Sequence, residues 1–155
     1  MVTLPTFPVQ GGCQCGAVRY TLKAPPITFY LCHCTECQKQ SASAFGESVQ
    51  VRPEDVEVTA GELALFKKQG ERSMLHGEFC PNCGCRIFTK RPSRPTWNIK
   101  GGTLDDCSWL MPAGHIWARS KQPFIHIRPD EISYEGQPEN YNALAARWRS
   151  MMGLA

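Results

Sequence analysis

Seven of the nine cysteines in this chain of 155 residues lie in three short clusters, and closely spaced thiols of this kind are typical of zinc binding. A structural zinc ion takes all four ligands from the protein, whereas a catalytic zinc ion leaves one position for water or substrate. Seven thiols is one short of two four-thiolate sites, so the sequence predicts two zinc sites, one closed and one open. The clusters are Cys13-Gln14-Cys15, Cys32-His33-Cys34-Thr35-Glu36-Cys37 and Cys80-Pro81-Asn82-Cys83.

A disulfide framework is the main alternative, and the spacing argues against it. Cysteines one or two residues apart pair poorly with each other, and an odd total cannot pair completely within one chain. Residues 1–12 contain neither the basic nor the apolar segment of a secretory signal. We therefore expect a reducing compartment, the cytoplasm, where repeated close cysteines act as metal ligands or redox thiols.

The first and third clusters suit the closed site. Residues i and i+2 of an extended segment share a face, so Cys13 and Cys15 are expected to reach one ion from a strand. In residues 80–84 a proline fixes φ and a glycine permits positive φ, which predicts a tight turn presenting Cys80 and Cys83. One zinc ion bound by both pairs would join the first strand to the middle of the domain.

The middle cluster suits the open site. Cys32, Cys34 and Cys37 form a compact tripod on a single segment, and the last two have the spacing of a helix start. The positive end of a helix favours ionised thiols. Such a tripod caps one side of a metal ion and leaves room for a fourth donor, for which a substrate thiol is the natural candidate.

Length and charge limit the other functions. The chain matches a common domain size and contains no run of eighteen apolar residues, so no transmembrane helix and no membrane partner are expected. The formal charge is +3, and it would fall to zero if seven thiolates bound two Zn²⁺. A nucleic-acid partner is therefore not expected, and the cations at Lys67, Lys68, Arg86, Arg91 and Arg94 are interpreted as ordinary solvated surface.

Short strands must position the clusters. Val18, Tyr20 and Leu22 alternate with polar residues, which indicates a half-buried strand after the first cysteine pair. Helical patterns occupy residues 35–43, starting inside the middle cluster, and 138–152, where an apolar stripe favours core packing or a partner face. With frequent prolines and glycines between the runs, the sequence predicts a mainly β fold of antiparallel strands. Further strands are predicted at 48–51, 56–59, 64–67, 72–78, 86–89, 96–100 and 124–127.

Three segments carry a family resemblance. Residues 11–20 (GGCQCGAVRY), 32–37 (CHCTEC) and 79–84 (FCPNCG) closely resemble the glutathione-dependent formaldehyde-activating enzyme family, which is also grouped with CENP-V-like proteins. Residues 102–106 (GTLDD) and 115–117 (HIW) are similar to its C-terminal half. The resemblance spans roughly residues 9–138 and divides the chain into an N-terminal extension (1–8), a zinc domain (9–137) and a C-terminal helical tail (138–155).

The resemblance implies a fold, a reaction and two ligand sets. The fold is a β-tent stapled by zinc, and the activity is that of a carbon–sulfur lyase. Its reference reaction condenses formaldehyde with glutathione to S-(hydroxymethyl)glutathione, so glutathione or its adduct is the expected partner. The resemblance implies structural zinc ligands at Cys13, Cys15, Cys80 and Cys83, and a catalytic zinc site at Cys32, Cys34 and Cys37.

Two cysteines and the histidines lie outside these sets. Cys85 departs from the family pattern and is expected to be an unliganded, partly buried thiol, as is the isolated Cys107. His33 is expected to face away from the metal. Of the four histidines, His115 is the candidate for a place near the open site. His76 and His126 are expected to be structural residues in strands. Cations proposed by location to dock glutathione are Lys39, Arg52, Arg72 and Arg119.

Two other functions remain open from the sequence. The same architecture supports a non-enzymatic zinc-binding interaction or chaperone-like module, because a fold does not determine a function. A second site closed by Cys85 or a histidine would favour that module. A zinc-ribbon nucleic-acid binder would need a basic face with aromatic stacking residues, and the charge balance argues against it. The amphipathic C-terminal helix would also suit a homodimer.

Overall fold

Short β-branched and aromatic runs, interrupted by prolines and glycines, give this chain a predominance of strands. The computed structural model describes residues 3–70 and 73–154, which form eleven strands and two α-helices. The helices are α1 (Thr35–Ser41) and α2 (Asn142–Met151). The strands are β1 (Val9–Gly12), β2 (Arg19–Leu22), β3 (Thr28–Cys32), β4 (Gly46–Val51), β5 (Val56–Ala60), β6 (Ala64–Gln69), β7 (Met74–Phe79), β8 (Arg86–Lys90), β9 (Trp97–Ile99), β10 (Gly114–Ile116) and β11 (Ile132–Ser133).

The strands belong to two sheets. A small antiparallel sheet has the order β1-β2-β5, and a large sheet has the order β11-β10-β3-β4-β9-β8-β7-β6. All pairs in the large sheet are antiparallel except at β10, which runs parallel to both β3 and β11. The expected β-tent fold of mainly antiparallel strands, with a short helix after the middle cysteine cluster and a C-terminal helix, is therefore confirmed.

The core lies between the two sheets. The alternation predicted around β2 is confirmed, because Val18, Tyr20 and Leu22 are each at most 1% exposed. The ring of Tyr20 packs edge-on against Phe88 of β8, with the ring centres 5.4 Å apart. This contact joins the small sheet to the large one through apolar surface, the main source of stability in a domain of this size.

The large sheet has two different faces. A row of apolar residues faces the core and runs across four paired strands, Phe29, Val49, Ile99 and Phe88. Side chains alternate along a strand, so the neighbouring positions face the opposite side. Those positions are polar: Tyr30 pairs with Ser48, and Gln50, Asn98 and Thr89 pair in a row.

Helix α2 packs against β3. Leu144 and Trp148 are fully buried, and the Trp148 ring lies 6.2 Å from the ring of Phe29. Thr28 also donates a hydrogen bond of 3.1 Å to the Leu144 carbonyl. The apolar stripe predicted for this helix therefore packs into the core.

None of the helices within residues 3–70 and 73–154 combines the length and the apolar character needed to cross a membrane.

Most predicted strands are confirmed with shifted ends, but residues 124–127 are not a strand. Phe124 is 64% exposed, and the Ile125 amide donates to the Gln122 carbonyl in a turn. The alternating pattern of this segment favours a strand, but a strand needs a neighbouring strand to pair with. The preceding strand, β10, already pairs on both edges, with β3 and β11. His126 is consequently outside any strand. The start predicted for the strand at 72–78 lies outside the described residues, and β7 is seen from Met74 onward.

Candidate metal centres and the adjoining cleft

The first metal-binding candidate is a cluster of four thiols brought together by two turns. The sulfur atoms of Cys13, Cys15, Cys80 and Cys83 lie within 4.8 Å of one another. Cys13 and Cys15 occupy the turn after β1, so the expectation that they project from an extended strand is wrong. The turn bends back through a hydrogen bond of 3.1 Å from the Gly16 amide to the Cys13 carbonyl, and the sulfur atoms of Cys13 and Cys15 lie 3.5 Å apart.

The second pair lies in the tight turn between β7 and β8. Gly84 has a φ of +76°, as predicted, and its amide donates to the Cys80 carbonyl at 2.8 Å. Cys80 is fully buried, whereas Cys83 is half-buried. The four thiols therefore come from segments about 65 residues apart in the chain, which only the tertiary fold brings into contact.

Hydrogen-bond donors point at these sulfur atoms. The Val18 amide donates to Cys13 Sγ, and Asn82 Nδ2 donates to Cys15 Sγ, both at 3.2 Å. The hydrogen bond from Asn82 is the largest cause of a lowered pKa at Cys15. Donors of this kind stabilise thiolates, the form in which cysteine binds a metal ion.

The second metal-binding candidate is a cluster of three thiols on one segment. Cys32 ends β3, Cys34 is the N-cap of α1, and Cys37 lies in the first turn of that helix. Their sulfur atoms lie within 4.8 Å of one another, and no fourth cysteine, histidine or carboxylate of residues 3–70 and 73–154 joins the group. Gly46 permits the close approach of Cys37 to β4, because a Cβ there would lie 3.0 Å from the Cys37 Cβ.

The pKa of each of the three thiols depends on its contacts with the other two. Contacts with Cys32 and Cys37 lower the pKa of Cys34, and contacts with Cys34 and Cys37 raise the pKa of Cys32 far above its ordinary range. The Cys37 amide donates to Cys34 Sγ at 3.3 Å, and Gln40 Nε2 donates to Cys37 Sγ at 3.3 Å. These donors favour a thiolate at the helix-capping sulfur, and a bound cation would favour ionisation of all three thiols.

Two histidines lie behind this cluster. His33 is fully buried and faces away from the sulfur atoms, with its Nε2 2.9 Å from Nδ1 of His115. Burial, with the neighbouring His115 as a second cause, lowers the pKa of His33 to about 4. His115 on β10 also lies 3.5 Å from a carboxylate oxygen of Glu131. His115 therefore approaches the cluster only through His33 and is no ligand of it.

The remaining cysteines differ from each other. Cys85 is half-buried and belongs to neither thiol cluster, as predicted. Cys107 is exposed, so the expectation of burial is wrong. Its thiol instead donates to the carbonyl oxygens of Gly101 and Leu104, both at 3.3 Å.

A cleft of about 460 Å³ adjoins the three-thiol cluster, with Cys32 and Cys34 in its wall. Its floor is the polar face of the large sheet, where Ser48, Gln50 and Thr89 are each at most 8% exposed. One wall follows β10, and the opposite wall comes from β6 and β7. The cleft, with a metal site at one side and a polar floor, can hold a polar ligand whose reactive atom meets the thiol cluster.

The sheet curls so that its last strand reaches helix α1. Lys68 of β6 forms an ion pair of 2.8 Å with Glu36 of α1, although β6 lies at the far edge of the sheet from β3. Both side chains line the cleft. This contact connects the β6 edge of the sheet to helix α1 across the ligand space.

The cations of the cleft differ from those expected. Lys39, Arg52 and Arg119 do not line it, and Arg72 lies outside the described residues. The cleft is lined by Lys68, Arg91 and Arg94, which the sequence pattern indicated as solvated surface. The only signal in the sequence for the two arginines is their position between β8 and β9, and nothing local shows that this turn borders the thiol cluster.

Comparisons with known proteins indicate a family and a fold. Residues 8–120 match the family described as glutathione-dependent formaldehyde-activating enzyme. A Halomonas elongata protein named "Putative glutathione-dependent formaldehyde-activating enzyme" is 24% identical over 156 residues, covering 94% of this chain and 97% of that protein. A crystal structure of a Rhodobacter sphaeroides protein shares the fold, with a TM-score of 0.53 and 20% identity over 81% of this chain and 98% of that one.

Proposed function

The chain belongs to the glutathione-dependent formaldehyde-activating enzyme family, and from this we propose that it is a zinc-dependent enzyme of the carbon–sulfur lyase type. Its proposed reaction joins glutathione and formaldehyde to S-(hydroxymethyl)glutathione. The name of the Halomonas elongata relative supports these two substrates. The cytoplasm is the proposed compartment, because clustered thiols remain reduced there.

The observation that carries this proposal is the open three-thiol cluster beside the cleft. In the described part of the chain neither Cys85 nor a histidine completes it, which supports chemistry over a purely structural role. We assign Cys32, Cys34 and Cys37 to the catalytic zinc site. The cluster of Cys13, Cys15, Cys80 and Cys83, with all four ligands from the protein, is assigned to the structural zinc.

The residues fit zinc in both places. Thiolates are ligands that zinc prefers, and the amide and side-chain donors already point at the sulfur atoms of both clusters. When bound by the three thiolates, a zinc ion supplies a Lewis-acidic position for the substrate thiolate or the aldehyde oxygen.

The proposed reaction is redox-neutral addition. The substrate sulfur forms a bond to the carbonyl carbon, the π electron pair of the C=O bond moves to oxygen, and that oxygen takes up the proton which the thiol loses. Because this addition is intrinsically easy, the protein contributes chiefly proximity and orientation. Tyr30, Ser48 and Asn98 line the cleft floor, and their proposed role is to hold the body of the thiol substrate while its sulfur lies at the cluster.

Replacement of one open-site ligand tests the function. Cys34→Ser is expected to lower the zinc content from two ions to one and to reduce the rate of product formation to that of the uncatalysed reaction, because the tripod loses its helix-capping sulfur. Zinc content is measured by elemental analysis and product by NMR with ¹³C-formaldehyde. The matched control is Cys85→Ser. Because Cys85 belongs to neither cluster, this variant should retain two zinc ions and full turnover.

Two results would contradict the proposal. Unchanged turnover in Cys34→Ser after loss of one zinc ion would show that the open site performs no chemistry. A wild-type protein with two zinc ions and no turnover would favour the zinc-binding interaction or chaperone-like module.

A further inference from the structure

We propose that Arg94, assisted by Arg91, binds a carboxylate of the thiol substrate at the end of the cleft remote from the three-thiol cluster. The cleft would then select an elongated anionic thiol of about tripeptide size over short thiols. This inference rests on the proposed function and adds the residues that determine its substrate specificity.

The two arginines form one cationic feature of the cleft. They are the first and last residues of a single turn, in which the Arg94 amide donates to the Arg91 carbonyl at 2.9 Å. Residues at these two positions of a turn lie within about 7 Å of each other. Both side chains are half-buried and line the cleft, so two guanidinium groups face one end of the ligand space.

Their charges lack a carboxylate partner within the described residues. The ion pairs of residues 3–70 and 73–154 include Lys68 with Glu36 and Lys90 with Glu78, but neither Arg91 nor Arg94. Arg91 donates to the carbonyl and hydroxyl oxygens of Ser73. The planar fork of an arginine matches a carboxylate through two parallel hydrogen bonds, which makes this turn a suitable anchor for an acidic group.

The position of Arg94 gives the expected length of the ligand. Cys32 and Tyr30 are two residues apart on β3, which corresponds to about 7 Å along the strand. The Tyr30 ring lies 5.1 Å from the ring of Tyr141, and Arg94 lies over that ring with its Cζ 5.9 Å from the centroid. Since an extended residue spans about 3.5 Å, a tripeptide is long enough to reach from the cluster to Arg94 along this path.

The floor between these two ends suits peptide groups. Gln50 and Ser48 are at most 6% exposed, and the hydrogen bonds from Gln50 to Thr96 and from Tyr30 to Asn98 are both long, at 3.4 Å. Buried polar groups normally have good hydrogen-bond partners. Amide groups of a ligand would provide them, so the floor favours a peptide-like thiol.

Binding of glutathione to zinc-loaded protein tests this assignment. Arg94→Gln is expected to weaken the Kd for glutathione by about 10- to 100-fold, the usual range for loss of a charged hydrogen bond. Its affinity for 2-mercaptoethanol, which has no carboxylate, should not change. Isothermal titration calorimetry gives both values, and zinc content with circular dichroism shows that the variant is folded.

Two further variants and one ligand sharpen the test. Arg94→Lys, which keeps the charge without the fork, should recover part of the affinity. Arg149→Gln removes an exposed arginine of α2 that does not line the cleft and should bind glutathione normally. Glutathione diethyl ester, which lacks free carboxylates, should bind wild-type and Arg94→Gln protein equally.

The outcomes separate this inference from the proposed function. An unchanged Kd for glutathione in Arg94→Gln would overturn the assignment, even if the wild-type protein makes S-(hydroxymethyl)glutathione. Failure of the wild-type protein to bind glutathione would also overturn it, whatever thiol turnover assays accept. Binding that depends on Arg94 without any turnover would uphold the assignment and contradict the proposed function.

Discussion

At the scale of single residues, the open thiol cluster depends on neighbours that are not ligands. Gln40 donates to Cys37 Sγ through its amide nitrogen, while its amide oxygen accepts from Arg86 at 3.0 Å and from Thr89 at 3.3 Å. Burial lowers the pKa of Lys100, which is 8% exposed, and the charge of the nearby Cys37 thiolate opposes this shift. These contacts orient one sulfur atom and place positive charge near the cluster.

Gln40→Ala should weaken metal binding at the open site. The change removes a hydrogen bond to Cys37 and an acceptor for Arg86, and loss of such supporting contacts usually lowers metal affinity by about 10- to 100-fold. Competition with a chromophoric chelator measures the affinity of each zinc ion. Lys39→Ala, a neighbour on α1 outside the cleft, is the control and should leave both affinities unchanged; equal affinities in Gln40→Ala and wild type would contradict the assigned role.

At the scale of elements, turns and the start of a helix place six of the seven clustered thiols, and only Cys32 lies in a strand. Cys13 and Cys15 lie in the turn after β1, Cys80 and Cys83 in the turn after β7, and Cys34 caps α1. A turn can direct several side chains toward one point, whereas a strand sends successive side chains to opposite faces. The strands therefore determine how far apart the turns are, and the turns determine the geometry of the sulfur atoms.

Gly84→Ala should destabilise the turn between β7 and β8. The φ of +76° disfavours a residue with a Cβ, at a cost of about 1–2 kcal/mol in the free energy of unfolding. A Cβ there would meet no atom within 4 Å, so the effect would come from backbone strain alone. Urea unfolding with excess zinc measures it.

Gly102→Ala is the matched control for this turn. Its φ lies outside the positive range, and a Cβ at this position would make an ordinary contact of 3.7 Å with a Glu47 oxygen. No loss of stability is expected, since an alanine that fits also restricts the unfolded chain. Equal losses in the two variants would show that the left-handed conformation of Gly84 is not the cause.

At the scale of the whole molecule, the two thiol clusters differ in whether they connect distant parts of the fold. The four-thiol cluster connects the turn after β1, in the small sheet, with the turn after β7, in the large sheet. The three-thiol cluster lies on one continuous segment from β3 into α1. A metal ion in the first cluster would cross-link the two sheets, whereas an ion in the second would leave the fold without an added long-range link.

Cys80→Ser should therefore cost much more stability than Cys34→Ser. Structural zinc contributes on the order of 10 kcal/mol to folding, and Cys80 is a fully buried member of the cross-linking cluster. Thermal unfolding with and without a chelator measures the difference: chelation should lower the Tm of the wild-type protein sharply and that of Cys80→Ser little. Cys85→Ser, in the same turn, should behave as wild type. A Tm loss in Cys34→Ser as large as that in Cys80→Ser would contradict the division of roles.

The sequence by itself determined the three-thiol cluster, the two cysteine pairs and most strands, because all of these depend on short-range spacing. Cys32, Cys34 and Cys37 are close through chain connectivity alone, and the alternation around Tyr20 specifies a buried face. The same local logic failed at residues 124–127 and at Cys107, where partner strands and burial depend on distant segments.

The tertiary structure alone decided the cleft and its cations. Arg94 meets Tyr141, 47 residues away, and Tyr141 meets Tyr30, so no local pattern places this arginine near the thiols. The parallel pairing of β10 with β3 likewise joins segments more than 80 residues apart and brings His115 to His33. Which residues can bind a metal ion follows from their side-chain chemistry, which the sequence specifies directly. The shape and charge of the surrounding cleft follow from long-range pairing of strands, which forms only on folding.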